Sequence, residues 1–133
     1  MQRRDFLMLT AAVSLAPITA HAEFVAYAPG VLETAMARGD RIILDFYATW
    51  CSTCRRQQRV MNELRAANPA YDQRLTLIHV DWDTWRTSDL VTRFNVPRRS
   101  TIIAFKGQRE LGRTVAGTAT AEIQALFDAA LNA

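Results

Sequence analysis

Dense apolar runs alternate along the chain with segments in which apolar residues recur at helical spacing. The runs Arg41 to Tyr47, Leu75 to Val80 and Thr101 to Phe105 predict buried strands. The first carries one interruption, Asp45. Val31, Leu32, Ala35 and Met36 share one helical face between Pro29-Gly30 and Gly39. Ser52 to Ala67 is rich in Arg, Gln, Leu, Met and Ala, which are good helix formers. Val60, Met61 and Leu64 give it an apolar stripe, and Asn68-Pro69 ends it. Ser88 to Phe94 predicts a short helix. Gly107 marks a turn, after which Glu110 to Val115 returns as a fourth strand. Thr120 is placed to cap a last helix whose Ile123, Leu126, Phe127 and Leu131 lie on one face. The predicted order is α-β-α-β-α-β-β-α. It describes an α/β domain, a mixed sheet of about four strands with helices on both faces.

Residues 1–22 break this pattern. Arg3-Arg4 and Asp5 precede a modest apolar run from Phe6 to Ile18, and Ala20-His21-Ala22 follows it. This is the order of a cleavable export signal, and the run is too short for a stable membrane anchor. The string Arg3-Arg4-Asp5-Phe6-Leu7 resembles the twin-arginine export motif; an ordinary secretory signal with two arginines is the alternative. Cleavage after Ala22 leaves residues 23–133 as one domain and brings the formal net charge from +3 to +2. That excess is too small to argue for nucleic acid. The expectation is a periplasmic protein with no stable membrane insertion once the signal is removed.

The chain has two cysteines, Cys51 and Cys54. A disulfide between them closes almost no loop, so it adds little to stability. The pair is therefore there for redox chemistry or for a metal. Cys51 stands where the first strand gives way to a helix. Unpaired N–H groups and the positive end of the helix dipole favour an anion there, which lowers a thiol pKa. Cys54 lies one turn further in, within reach of a mixed disulfide on Cys51. Cys51 is thus the expected nucleophile and Cys54 the resolving thiol.

The segment Leu44-Asp45-Phe46-Tyr47-Ala48-Thr49-Trp50-Cys51-Ser52-Thr53-Cys54 resembles the active-site segment of thioredoxins, and the likeness extends from about Val31 to Leu131. It is also similar to periplasmic thioredoxin-like reductases and to the thioredoxin-like domain of the membrane electron-carrier reductase. The resemblance implies a thioredoxin fold. It implies that Asp45 is a buried acid that helps deprotonate the resolving cysteine, and that Trp50 shields the site and meets partners. His79 stands where many thioredoxins place a lysine close to that acid, and is a candidate for tuning it. The segment Ser100-Thr101-Ile102-Ile103-Ala104-Phe105-Lys106 matches the family pattern with Ser100 in place of its cis-proline. A cis bond before a non-proline residue costs about 3–4 kcal/mol, so a trans Arg99–Ser100 bond is expected. Ser100 keeps an N–H and adds a hydroxyl, and both have Cys51 within reach if the loop faces it as in the family.

The resulting expectation is a periplasmic thiol–disulfide oxidoreductase that reduces protein disulfides. Cys51, Cys54 and Asp45 carry the chemistry; Trp50, Arg99, Ser100 and Thr101 contact substrate. No cofactor is expected beyond the redox-active Cys51–Cys54 pair. The expected partners are disulfide-bearing exported proteins and a membrane or periplasmic thiol electron donor. The alternative is a metal- or cluster-binding protein that uses the two cysteines as soft ligands without redox turnover. Its weakness is ligand number, because His79 is the only histidine left after cleavage.

Overall fold

A computed structural model describes residues 23–133 and, before them, Ala12. The predicted export signal otherwise lies outside the described residues. The chain forms β1 (Val25–Ala26), α1 (Val31–Ala37), β2 (Arg41–Tyr47), α2 (Ser52–Ala67), α3 (Pro69–Arg74) and β3 (Leu75–Asp81). There follow α4 (Trp82–Trp85), α5 (Asp89–Arg93), β4 (Thr101–Lys106), β5 (Arg109–Val115) and α6 (Thr120–Leu131).

The strands make one mixed sheet in the order β1-β3-β2-β4-β5. β2 and β3 are parallel, with Asp45 opposite His79, so they need the crossover that α2 and α3 supply. β4 runs antiparallel to β2, pairing Phe46 with Thr101, and β5 runs antiparallel to β4. The β4–β5 hairpin turns at Gly107, whose φ of 57° suits a residue without Cβ. This topology gathers three chain segments at one end of the sheet: the end of β2, the start of β4 and the end of β5.

Alternation along the central strands divides the core in two. Ile43, Leu75, Leu77, Ile102 and Ala104 face α2, α3 and α6, and meet Met61, Tyr71, Ile123 and Phe127. Ile42, Leu44, Phe46, Ile78, Val80, Ile103 and Phe105 face the other way, against Leu32, Met36 and Leu90. β2 and β4 are covered on both faces, which is why they read as unbroken apolar runs. Met61, Ile102 and Phe127 are fully buried, and truncating any of them to alanine costs roughly 2–5 kcal/mol.

Three expectations change. The sheet has five strands, because the two-residue β1 adds to the edge of β3; it is too short to show a periodicity. Asn68-Pro69 ends α2 but also opens α3. The Asn68 side chain accepts from the Ala70 N–H at 3.1 Å, and Pro69 sits in the first turn, where no N–H is needed. Ala119, rather than Thr120, is the N-cap of α6, and no side chain caps it.

Candidate active site

Cys51 is the N-cap of α2. Its extended backbone lets the sulfur accept the Cys54 N–H at 3.2 Å. Both cysteines are free thiols and both are buried. β4 begins directly across from them. Ser100, just before that strand, places its Oγ 3.3 Å from the Cys51 sulfur and 3.1 Å from the Cys54 sulfur. Its hydroxyl stands between the two reacting atoms.

The backbone of Ser100 is unusual. Its φ is 68°, a left-handed conformation that L-residues seldom adopt. Its N–H donates to the Phe46 carbonyl at 2.7 Å, and its carbonyl accepts from the Ala116 N–H at 2.9 Å. Proline fits neither the positive φ nor the donated N–H. There is no cis peptide bond among the described residues, in line with the expected trans Arg99–Ser100 bond.

A further residue holds this loop. Gln57 is fully buried on α2 and donates through Nε2 to the carbonyls of Ser100 and Gly117, each at 2.9 Å. The sequence reading missed it. Its signal was present: Gln57 falls on the same helical face as Val60, Met61 and Leu64, where a polar residue needs a partner.

Burial raises the Cys51 pKa, but the neighbouring Cys54 thiol, the hydrogen bonds with the Ser100 hydroxyl and the Cys54 N–H, and the Arg99 guanidinium outweigh it. The value falls to about 7. Burial pushes the Cys54 thiol up, and the adjacent Cys51 sulfur adds to this. The two sulfurs are therefore inequivalent, with the negative charge on Cys51. Asp45, only 2% exposed, is raised to about 7 by burial and by the neighbouring Cys51 charge. A carboxylate so placed takes up a proton near neutral pH.

The other expected residues separate in space. Trp50 does not pack on the sheet. It is 55% exposed, donates through Nε1 to Asp83 Oδ2 at 2.8 Å, and carries the Arg99 guanidinium 4.3 Å above its ring. Arg98 turns back to the Arg99 carbonyl. Arg55, Arg56 and Arg59 are exposed on α2. Thr101 is fully buried, and its hydroxyl donates to the Arg98 carbonyl. Ser100 is buried too, and its hydroxyl faces sulfur instead of solvent. His79 adjoins Asp45 in register but lies against the rings of Phe24 and Tyr47. Burial, helped by Arg65, lowers its pKa to about 4, so it stays neutral and brings Asp45 no positive charge. Trp82 and Trp85 are both half-buried and pack against the core face that holds Leu32 and Phe46. Among the described residues no group of three or more His, Cys, Asp and Glu converges to hold a metal.

This geometry can be set beside known proteins. The family model for thioredoxin matches residues 26–129. The thiol:disulfide interchange protein DsbD of Pseudomonas fluorescens is 31% identical over 86 residues, which cover 60% of this chain and 15% of that protein. This chain thus corresponds to a small part of DsbD. Thioredoxin-2 of Saccharomyces cerevisiae is 30% identical over 95 residues, covering 71% of this chain and 86% of its own. The crystal structure of Trxlp from Edwardsiella tarda superposes with a TM-score of 0.65 at 30% identity, over 78% of this chain and 96% of that one. With its mixed five-stranded sheet and paired thiols at the start of α2, the chain belongs to the thioredoxin family.

Proposed function

We propose that this thioredoxin-family chain is a protein-disulfide oxidoreductase, and that it works in the periplasm as a reductant of disulfides in exported proteins, after cleavage behind Ala22. The observation that carries the chemistry is the unequal pair of sulfurs. Cys51 holds a thiolate near neutral pH while Cys54 keeps its proton, with Asp45 buried nearby. The Cys51 thiolate attacks a substrate disulfide. One substrate sulfur leaves as thiolate and the other is bound to Cys51. Cys54 then gives up its proton, with Asp45 as the base, and attacks Cys51. The second substrate sulfur leaves, and two electrons have passed from the dithiol to the substrate. The exposed Trp50 and the half-buried Arg99 beside it form the rim on which a polypeptide is received.

The likeness of residues 1–22 to an export signal supports the compartment. A periplasmic dithiol is not held reduced by glutathione, so a membrane or periplasmic thiol donor must recharge the pair. Reduction, instead of oxidation, follows from the likeness of Asp45 and Trp50 to reductive thioredoxins.

The test is insulin reduction by the mature protein with a dithiol donor, together with fractionation of cells expressing the full chain. Wild type is expected to reduce insulin and to be recovered from the periplasm at the size of residues 23–133. Cys51→Ser loses activity. Cys54→Ser loses turnover but retains substrate as a mixed disulfide, which identifies the natural partner. Full activity in Cys51→Ser, or an uncleaved protein in the cytoplasm, overturns the corresponding half of the reading.

A further inference from the structure

Ser100 has a role that a proline at this position cannot fill. Its backbone is pinned by three hydrogen bonds, to Phe46, Ala116 and Gln57. The residue is fully buried, so solvent does not compete for its side chain. What its hydroxyl faces is sulfur, at nearly equal distances of 3.3 Å and 3.1 Å. A serine hydroxyl has one proton to donate and lone pairs with which to accept. Placed between two sulfurs, it donates to one while accepting from the other. Exchanging the two roles needs only rotation of the hydroxyl hydrogen, with no heavy atom displaced.

We propose that Ser100 is a catalytic donor that serves the two sulfurs in turn, stabilising whichever of them is the thiolate. Before attack, the chain of hydrogen bonds runs from the Cys54 thiol to Ser100 Oγ and from Ser100 to the Cys51 thiolate. Charge-assisted hydrogen bonds are the strong ones, so this direction is favoured while Cys51 carries the charge. Once Cys51 is bound to a substrate sulfur it is a neutral disulfide sulfur and a poor acceptor. The hydroxyl then turns to Cys54. As Asp45 removes the Cys54 proton, Ser100 donates to the emerging thiolate. That thiolate attacks Cys51, and the bond between Cys51 and the substrate sulfur breaks. Gln57 acts through Ser100: it is a positioning residue that holds the serine carbonyl, and with it the hydroxyl, in place.

The same geometry bears on the redox balance. The donated hydrogen bond exists only while one sulfur is a thiolate, and it has no comparable acceptor in the closed Cys51–Cys54 disulfide. It therefore favours the dithiol and makes the pair a weaker reductant than it would be without the hydroxyl.

This inference rests on the assignment of Cys51 as nucleophile and Cys54 as resolving thiol, which the serine variants of the two cysteines test separately. The experiment here uses Ser100→Ala and Ser100→Gly in the mature protein. Both remove the hydroxyl, but alanine keeps the cost of a positive φ and glycine relieves it, so a fold defect moves the two apart. The Cys51 titration is followed by thiolate absorbance against pH. Cys54, Asp45 and Arg99 are the titratable or charged groups that face Cys51, and Asp45→Asn is combined with each variant to remove the one that titrates in the same range. Equilibrium with glutathione gives the potential, and single-turnover reduction of a labelled mixed disulfide gives the resolution rate.

Both variants are expected to raise the Cys51 titration by about one pH unit, a tenfold loss of thiolate at a pH below it. The equilibrium shifts about tenfold toward the disulfide, which is about 30 mV for this two-electron couple. Resolution slows by about tenfold, and mixed disulfide accumulates. Gln57→Leu is expected to reproduce a smaller part of all three effects. An unchanged titration and potential in both Ser100 variants overturns the proposal. So does a slowed attack with an unchanged resolution rate, because the hydroxyl would then serve Cys51 alone.

Discussion

Asp45 offers the sharpest quantitative test, because its burial costs stability in a way that depends on pH. In the folded chain its pKa is about 7, against an ordinary value of 3.8. Below pH 3.8 the acid is protonated in both folded and unfolded chains and costs nothing. As pH rises, the unfolded chain loses the proton first, so the unfolded state is favoured. The penalty grows until pH passes the folded value near 7 and is constant above it. At 1.36 kcal/mol per pKa unit, the full penalty is about 4 kcal/mol. Asp45→Asn keeps the shape and removes the titration. Urea unfolding of the disulfide form excludes thiol ionisation from the comparison; it removes the Cys51 charge but keeps burial, the larger cause of the raised pKa. The variant is expected to gain on wild type by about 3–4 kcal/mol between pH 4 and pH 8, most of it below pH 7, with the urea slope unchanged. Its turnover falls because the base is gone. A difference between the two proteins that stays flat within about 0.5 kcal/mol over this range refutes the assigned burial penalty.

Three smaller predictions follow. Gly117→Ala places a Cβ 2.2 Å from Thr114 Oγ1 and 2.5 Å from the Glu122 carboxylate, which are bonded to each other. It is expected to cost about 1–3 kcal/mol by thermal or urea unfolding, and to loosen the Gln57 anchor on the same loop. Ala116, with a φ of 63°, is a non-glycine residue in the left-handed region; Ala116→Gly is expected to stabilise the fold by about 0.5–1 kcal/mol in the same assay. Arg99→Gln removes a cation that helps lower the Cys51 pKa, so the thiolate titration moves to higher pH. The exposed Trp50 ring also loses the guanidinium over it, which Trp50 fluorescence reads independently.

Part of the site was legible because it is local. Strand end, Trp50, Cys51 and Cys54 are contiguous, and helix geometry alone makes Cys51 the sulfur that accepts a backbone N–H. Asp45 was legible because a single acid inside an apolar run is buried wherever the strand is central. Gln57 was hidden among the polar residues of α2, although its helical face matches that of the core residues. Thr101 followed the family pattern in sequence, but β4 is covered on both faces and its hydroxyl is taken by the Arg98 carbonyl. His79 stands beside Asp45 as expected, yet its aromatic neighbours arrive from distant segments and keep it neutral.

By itself the sequence determined the α/β order, the two opposed apolar faces and the unequal sulfurs at a helix start, because these depend on period, burial and adjacency over a few residues. The tertiary structure alone decided what Ser100 does. Its left-handed backbone depends on Phe46, Ala116 and Gln57, from three other parts of the chain, and on β4 running antiparallel to β2. Only when these segments converge does a serine that reads as a missing proline become a hydroxyl held between two thiols.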